Sequence, residues 1–223
     1  MPLDATLFDM DGLLVDSEVL WHEAEVEIFG ALGVPLAEAS NRSTKGLYVD
    51  EVVDFWFGLY PWSGPTPAQV SQMLLERVGE LVDEKGRLLP GAVRAIELTA
   101  RRGPVAVASS TPIALIERIL DHFGLTSRFV SLHSAQFEDF GKPHPAVFLS
   151  AARALGVAPD RCLVLEDSTA GVLAAKAARM TVVAVPAPAD RELAVFSIAD
   201  LVLASLEDLE EAWLDERFAS SRP

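Results

Sequence analysis

Short apolar runs recur along the chain at residues 5–8, 105–108, 129–132, 162–165, 182–185 and 201–203. Most are continuous rather than alternating, the pattern of strands covered on both faces in a parallel sheet. Between residues 105 and 185 they are separated by apolar positions at helical spacing, over 112–123, 145–155 and 169–179. Pro112 and Pro145 suit a first helical turn, where a missing N–H costs nothing. Strand and helix in alternation predict an α/β class, a doubly wound, Rossmann-like, mainly parallel sheet.

The first strand breaks this rhythm. Residues 17–32, 48–59 and 67–82 carry helical patterns only, separated by residues 41–46 and by the turn-rich PWSGPTP of residues 61–67. Leu89-Pro90-Gly91 then opens a helix that leads back to the second strand. The division expected is a core of residues 1–16 and 86–223 with an inserted all-helical cap of residues 17–85. A cap so placed stands over the sheet's C-terminal edge, where open α/β folds bind their ligands. Residues 216–223 read as a frayed tail.

Composition narrows the partners. The 223 residues hold 18 Lys plus Arg against 33 Asp plus Glu, a formal net charge of −15. Such a surface repels phosphate backbones and anionic membranes, so neither nucleic acid nor a membrane is an expected partner. It repels small anions as well, so an anionic substrate needs a local cation. Cys162 is the one cysteine, which excludes an internal disulfide and any multi-cysteine metal site. No basic leader precedes a long apolar stretch and no apolar run approaches the ~18 residues of a bilayer span. A cytoplasmic monomer is expected.

Four polar features follow the predicted strands: Asp9 and Asp11 after the first, Ser109, Ser110 and Thr111 after the second, Lys142 in FGKPHP after the third, and Glu166 and Asp167 in VLEDS after the fourth. A parallel sheet brings strand C-termini to one edge, so these groups can converge. Carboxylates gathered there require a cation, and hard oxygen ligands suit Mg²⁺. Lys142 and a serine hydroxyl match a phosphoryl group's need for a charge partner and a donor. An aspartate can itself be the nucleophile, and a second carboxylate two residues on can move the proton. Each part alone has an ordinary explanation as a turn, helix cap or solvated side chain. One hydroxyl of Ser109–Thr111 is expected to cap the helix at Pro112. The ordered set is what carries the signal.

Asp9-Met10-Asp11-Gly12, Ser109, Lys142 and Glu166-Asp167, in this order, resemble the four motifs of the haloacid dehalogenase superfamily of phosphotransferases, and the helical insert resembles its C1-type cap. The resemblance implies Asp9 as nucleophile, Asp11 as general acid/base, Ser109, Ser110 and Lys142 as phosphate-binding groups, and Mg²⁺ held by Asp9, the Asp11 backbone carbonyl, Glu166 and Asp167. LFDMDGLLVDSEVLWHEAE, VVDFWFGLYPWSGP, GKPHP, LEDS, KAARM and VPAP are similar to one branch, the bacterial 2-deoxyglucose-6-phosphate and hexitol-phosphate phosphatases. That branch implies a small sugar or polyol phosphate as substrate. Glu18, Trp21, Lys45 and Tyr48 are then the cap residues expected to meet it.

Three related chemistries are weighed against that reading. Dehalogenases lack the carboxylate that Asp11 supplies. β-Phosphoglucomutases carry an arginine where this chain has Val49, and a histidine where it has Trp21, although His22 is adjacent. Phosphonate-cleaving relatives need a Schiff-base lysine, and Lys45 is not at the matching position. Tyr48 stands where the phosphatase branch tends to have arginine. A phosphomutase, and a non-enzymatic metal-binding regulatory module, are the remaining alternatives. The module would be expected to have lost Asp9 or Lys142, and both are present.

Overall fold

The structure, a computed structural model, describes residues 3–36 and 48–218. Six parallel strands, β1 (Ala5–Phe8), β2 (Val105–Ser109), β3 (Ser131–Ser134), β4 (Cys162–Glu166), β5 (Thr181–Ala184) and β6 (Leu201–Val202), lie in the order β3-β2-β1-β4-β5-β6. Strand β1 sits at the centre, with Leu7 opposite Ala106 on one side and Val164 on the other. Alternate residues of each strand enter opposite faces. Phe8, Val105, Val107, Leu163 and Leu165 pack on one side, against α4 (Ala92–Ala100) and α5 (Ile113–His122). Leu7, Ala106, Ala108, Val164 and Val182 pack on the other, against α6 (Ala146–Leu155) and α7 (Thr169–Ala177). With both faces dry, the strands have no polar side to alternate with, which is why their sequence reads as continuous apolar runs.

Between β1 and α4 the described residues carry α1 (Glu18–Ala31), α2 (Val49–Leu59) and α3 (Pro67–Lys85). Helix α3 packs on α1, α2 and also α5, so the helical layer shares one apolar cluster with the sheet. Two tryptophans pack within this layer. Trp56 is buried against Phe29 and Phe55, and the Trp62 indole donates to Pro65 O at 3.0 Å. The outgoing and returning connections run side by side. Asp16 N–H donates to Arg87 O and Leu89 N–H to Leu14 O, each at 2.9 Å, around an antiparallel bridge between Val15 and Leu88.

Two expectations need correction. The third strand was expected over 129–132 but runs from Ser131 to Ser134. Phe129 instead turns edge-on into Phe8 at 6.1 Å and Val130 is exposed. β3 is the edge of the sheet, so its half-buried, mixed sequence gives a weak apolar signal beside that hydrophobic pair. Of the tail expected to fray, residues 216–223, residues 219–223 lie outside the described residues; residues 216 and 217 instead end α8 (Glu211–Arg217), and Phe218 is buried against Trp213. Arg217 pairs with Asp200 at 3.0 Å.

Candidate active site

The strand ends bring the polar features together. The stretch from Met10 to Val15 folds into a tight turn, with Leu14 and Val15 N–H both donating to Met10 O and Gly12 N–H to Val15 O. Gly12 has φ +72°, where a side chain is strained, and a Cβ there would collide with the Asp167 carboxylate. Its small size is what allows the β1 and β4 loops to close on each other. Gly171 does the same for Glu166, whose carboxylate occupies the space a Cβ would fill.

Carboxylate oxygens of Asp9, Glu166 and Asp167, all buried, lie within 4.8 Å of one another. Lys142 Nζ, also buried, donates to Asp9 Oδ1 and Glu166 Oε1, each at 2.5 Å, and stands 4.8 Å from the Phe148 ring centroid. Glu166 is fixed from behind by the Ser168 N–H at 2.8 Å and hydroxyl at 3.0 Å, and the same hydroxyl accepts from Gly171 N–H to cap α7. Burial pushes the Asp9 carboxyl from 3.8 up to about 7; Lys142 opposes this while Glu166 and Asp11 add to it. For Lys142 burial acts downward, but Asp9 and Glu166 outweigh it and its pKa is raised. When ionised, three carboxylates around one ammonium leave two negative charges in a dry site. That donor set fits a hard divalent cation such as Mg²⁺.

Ser109 is buried at the end of β2, and its Oγ accepts from Thr111 N–H at 3.2 Å. Ser110 is half-buried in the turn beside it. The expected hydroxyl cap of α5 is absent. Pro112 is the N-cap, and Gln136 Oε1, from the segment after β3, accepts from Ile113 N–H at 2.7 Å. The Thr111 hydroxyl is turned to Asp11 Oδ2 at 2.5 Å instead. Asp11 Oδ1 accepts from Ser17 Oγ at 2.6 Å and from Trp21 Nε1 at 3.0 Å. Thr111 and Ser17 were visible only as members of polar runs; no spacing distinguished them from neighbouring hydroxyls.

Among the cap residues expected to meet substrate, Trp21 reaches Asp11 directly. Glu18 Cγ lies 3.2 Å from the position of a Gly12 Cβ, beside Asp167. Tyr48 precedes α2, and a Cβ at Gly141, next to Lys142, would lie 4.0 Å from Tyr48 Cβ. Lys45 lies outside the described residues. His133 Nε2 lies 2.9 Å from Ser131 Oγ, and the exposed His144 ring stands 5.3 Å from the exposed Phe140 ring. Cys162 is buried, and burial pushes its thiol up to about 11, with Asp4 and Asp160 adding.

Comparison with known proteins gives consistent matches. The haloacid dehalogenase-like hydrolase family matches residues 3–179. Hexitol phosphatase B of Escherichia coli K12 is 42% identical over 207 residues, 92% of this chain and 93% of that one. Among solved structures, β-phosphoglucomutase of Clostridium difficile superposes with a TM-score of 0.83 at 25% identity, covering 98% and 97% of the two chains. CbbY of Rhodobacter sphaeroides in complex with phosphate gives 0.80 at 29% identity, covering 93% and 96%.

Proposed function

The chain belongs to the haloacid dehalogenase-like hydrolase family, and from that premise we propose that it is a Mg²⁺-dependent phosphatase of small sugar or polyol phosphates. The observation that carries this reading is the buried meeting of Asp9, Glu166 and Asp167 with Lys142. Asp9, Glu166 and Asp167 with the Asp11 backbone carbonyl would hold the ion. Bound there, Mg²⁺ supplies the positive charge that phosphoryl oxygens need in phosphoryl transfer.

Asp9 attacks phosphorus, the ester P–O bond breaks, and Asp11 gives its proton to the departing oxygen. Water then attacks the phosphoryl-aspartate, Asp11 takes the water's proton, and the bond from Asp9 to phosphorus breaks. Lys142 has three N–H donors and spends two on Asp9 and Glu166. The third serves the phosphoryl group together with Ser109 and Ser110. Residues 17–85 act as a cap over a core of residues 1–16 and 86–223, shutting out water while the phosphoryl enzyme forms. Glu18 and Tyr48 would meet the sugar or polyol portion, a reading supported by Glu18 lying near Gly12 and Tyr48 near Gly141.

Hydrolysis is favoured over phosphomutation because Val49, buried at the start of α2, stands at the mutase arginine position. The 42% identical relative is a hexitol phosphatase. The net charge of −15 disfavours nucleic acid and anionic membranes as partners; the anionic substrate then depends on Lys142 and the metal for local positive charge, and we read the chain as a cytoplasmic monomer. Among the described residues no helix is long and apolar enough to cross a membrane.

The test is phosphate release from hexitol, hexose, nucleotide and glycolate phosphates, with Mg²⁺ and with EDTA. Release should require Mg²⁺, favour sugar or polyol phosphates, and fall to background in a folded Asp9→Asn variant. Near-normal activity in that variant removes Asp9 as nucleophile. A strong nucleotide preference changes the substrate class, and conversion of β-glucose 1-phosphate to the 6-phosphate without phosphate release would establish a mutase.

A further inference from the structure

The two oxygens of Asp11 are held by donors of different kinds. Oδ1 accepts from Ser17 Oγ at 2.6 Å and Trp21 Nε1 at 3.0 Å, whereas Oδ2 faces the Thr111 hydroxyl at 2.5 Å. A hydroxyl donates or accepts as it rotates, but an indole N–H only donates. A proton on Oδ1 would therefore point donor against donor at Trp21. A proton on Oδ2 meets an oxygen that can turn to accept it.

We propose that Trp21 is a positioning residue for Asp11: its indole N–H keeps Oδ1 an acceptor throughout the cycle, so the transferable proton is carried on Oδ2 beside Thr111. The proposal rests on Asp11 being the acid–base group of the reaction. As the bond from Asp9 to phosphorus forms and the ester bond breaks, the Oδ2–H bond breaks and the departing oxygen gains the proton. In the second half the attacking water's proton returns to Oδ2. Trp21 belongs to α1, ten residues from Asp11, so a residue of the helical insert orients the acid of the core. Its indole N–H is already committed and is not offered to the substrate, which changes the role expected for Trp21.

Leaving-group dependence separates this role from a structural one. The ratio kcat/KM reports events up to formation of the phosphoryl enzyme, where an alkoxide needs a proton and p-nitrophenolate departs without one. Positioned general acids contribute about 10²–10⁴-fold. Trp21→Phe should therefore lower kcat/KM with Mg²⁺ at least about tenfold more for glucitol 6-phosphate than for p-nitrophenyl phosphate. Thr111→Val should give the same split and serves alone if the tryptophan variant does not fold. Equal losses on both substrates, or no loss, overturn the proposal. Asp11→Asn distinguishes the two levels of failure. If it turns over glucitol 6-phosphate normally, the acid–base assignment itself is wrong. If it shows the split and a folded Trp21→Phe does not, only the role of Trp21 is lost.

Discussion

Gly12 shows how much of the site depends on a side chain that is missing. Its backbone is left-handed and its Cβ position lies against Asp167 and Glu18. Alanine there meets a conformational cost of roughly 1–2 kcal/mol before any clash is counted. Gly12→Ala should lower the unfolding midpoint by at least about 2–4 °C, at about 2–4 °C per kcal/mol for a chain of this size. It should also weaken Mg²⁺ binding, because relief of the clash displaces Asp167. Calorimetry with and without Mg²⁺ checks both effects, and an unchanged metal affinity would show that Asp167 can move without consequence. Motif reading placed Asp9, Asp11, Lys142, Glu166 and Asp167 at strand ends. It left Ser17 and Thr111 undistinguished, because which way a hydroxyl turns is set by the loop around it.

At the level of elements, α5 shows why local signals can mislead. A run of hydroxyls before Pro112 is a strong helix-start signal. Yet Ile113 N–H is satisfied by Gln136, a residue of the segment that follows β3, and the Thr111 hydroxyl is released toward Asp11. Gln136→Ala leaves that helix end uncapped and should cost about 0.5–2 kcal/mol, the usual range for a lost N-terminal cap. Urea unfolding measures it, and a variant as stable as the parent would mean that water replaces the glutamine at no cost. Between helices α3 and α5, Arg118 pairs with Asp83 at 2.6 Å, but both side chains are well exposed. The apolar contact of α3 with α5, rather than that pair, holds the insert on the sheet.

For the whole molecule, charge links stability, pH and metal. Burial holds the Asp9 carboxyl at about 7 and lifts Glu25 on α1 from 4.5 to about 7. Both values are raised above those of the unfolded chain. Between about pH 4 and 7 the folded protein therefore binds protons that the unfolded chain has released, and stability falls as pH rises. In EDTA the unfolding midpoint should drop from pH 5 to pH 8; a rise across that window would refute this. Mg²⁺ favours the ionised carboxylates, so it should stabilise more at pH 8 than at pH 5. At about 100 times its dissociation constant the gain should be roughly 5–10 °C.

Much of this architecture is written in local pattern. Continuous apolar runs specified five of the six strands to within a residue or so, since strands buried on both faces leave no polar alternation. The gap between the first two strands exposed the helical insert, and four motifs at strand ends marked the carboxylates and the lysine. The edge strand β3 and the final helix were less legible because their burial is partial and depends on distant neighbours. Only the tertiary structure decided that Trp21 and Thr111 face opposite oxygens of Asp11, that Gly12 and Gly171 make room for carboxylates, and that Lys142 bridges Asp9 and Glu166. Those are contacts between segments as much as 133 residues apart. Periodicity assigns a residue to a face of its own element; which partner it meets there depends on how the elements pack.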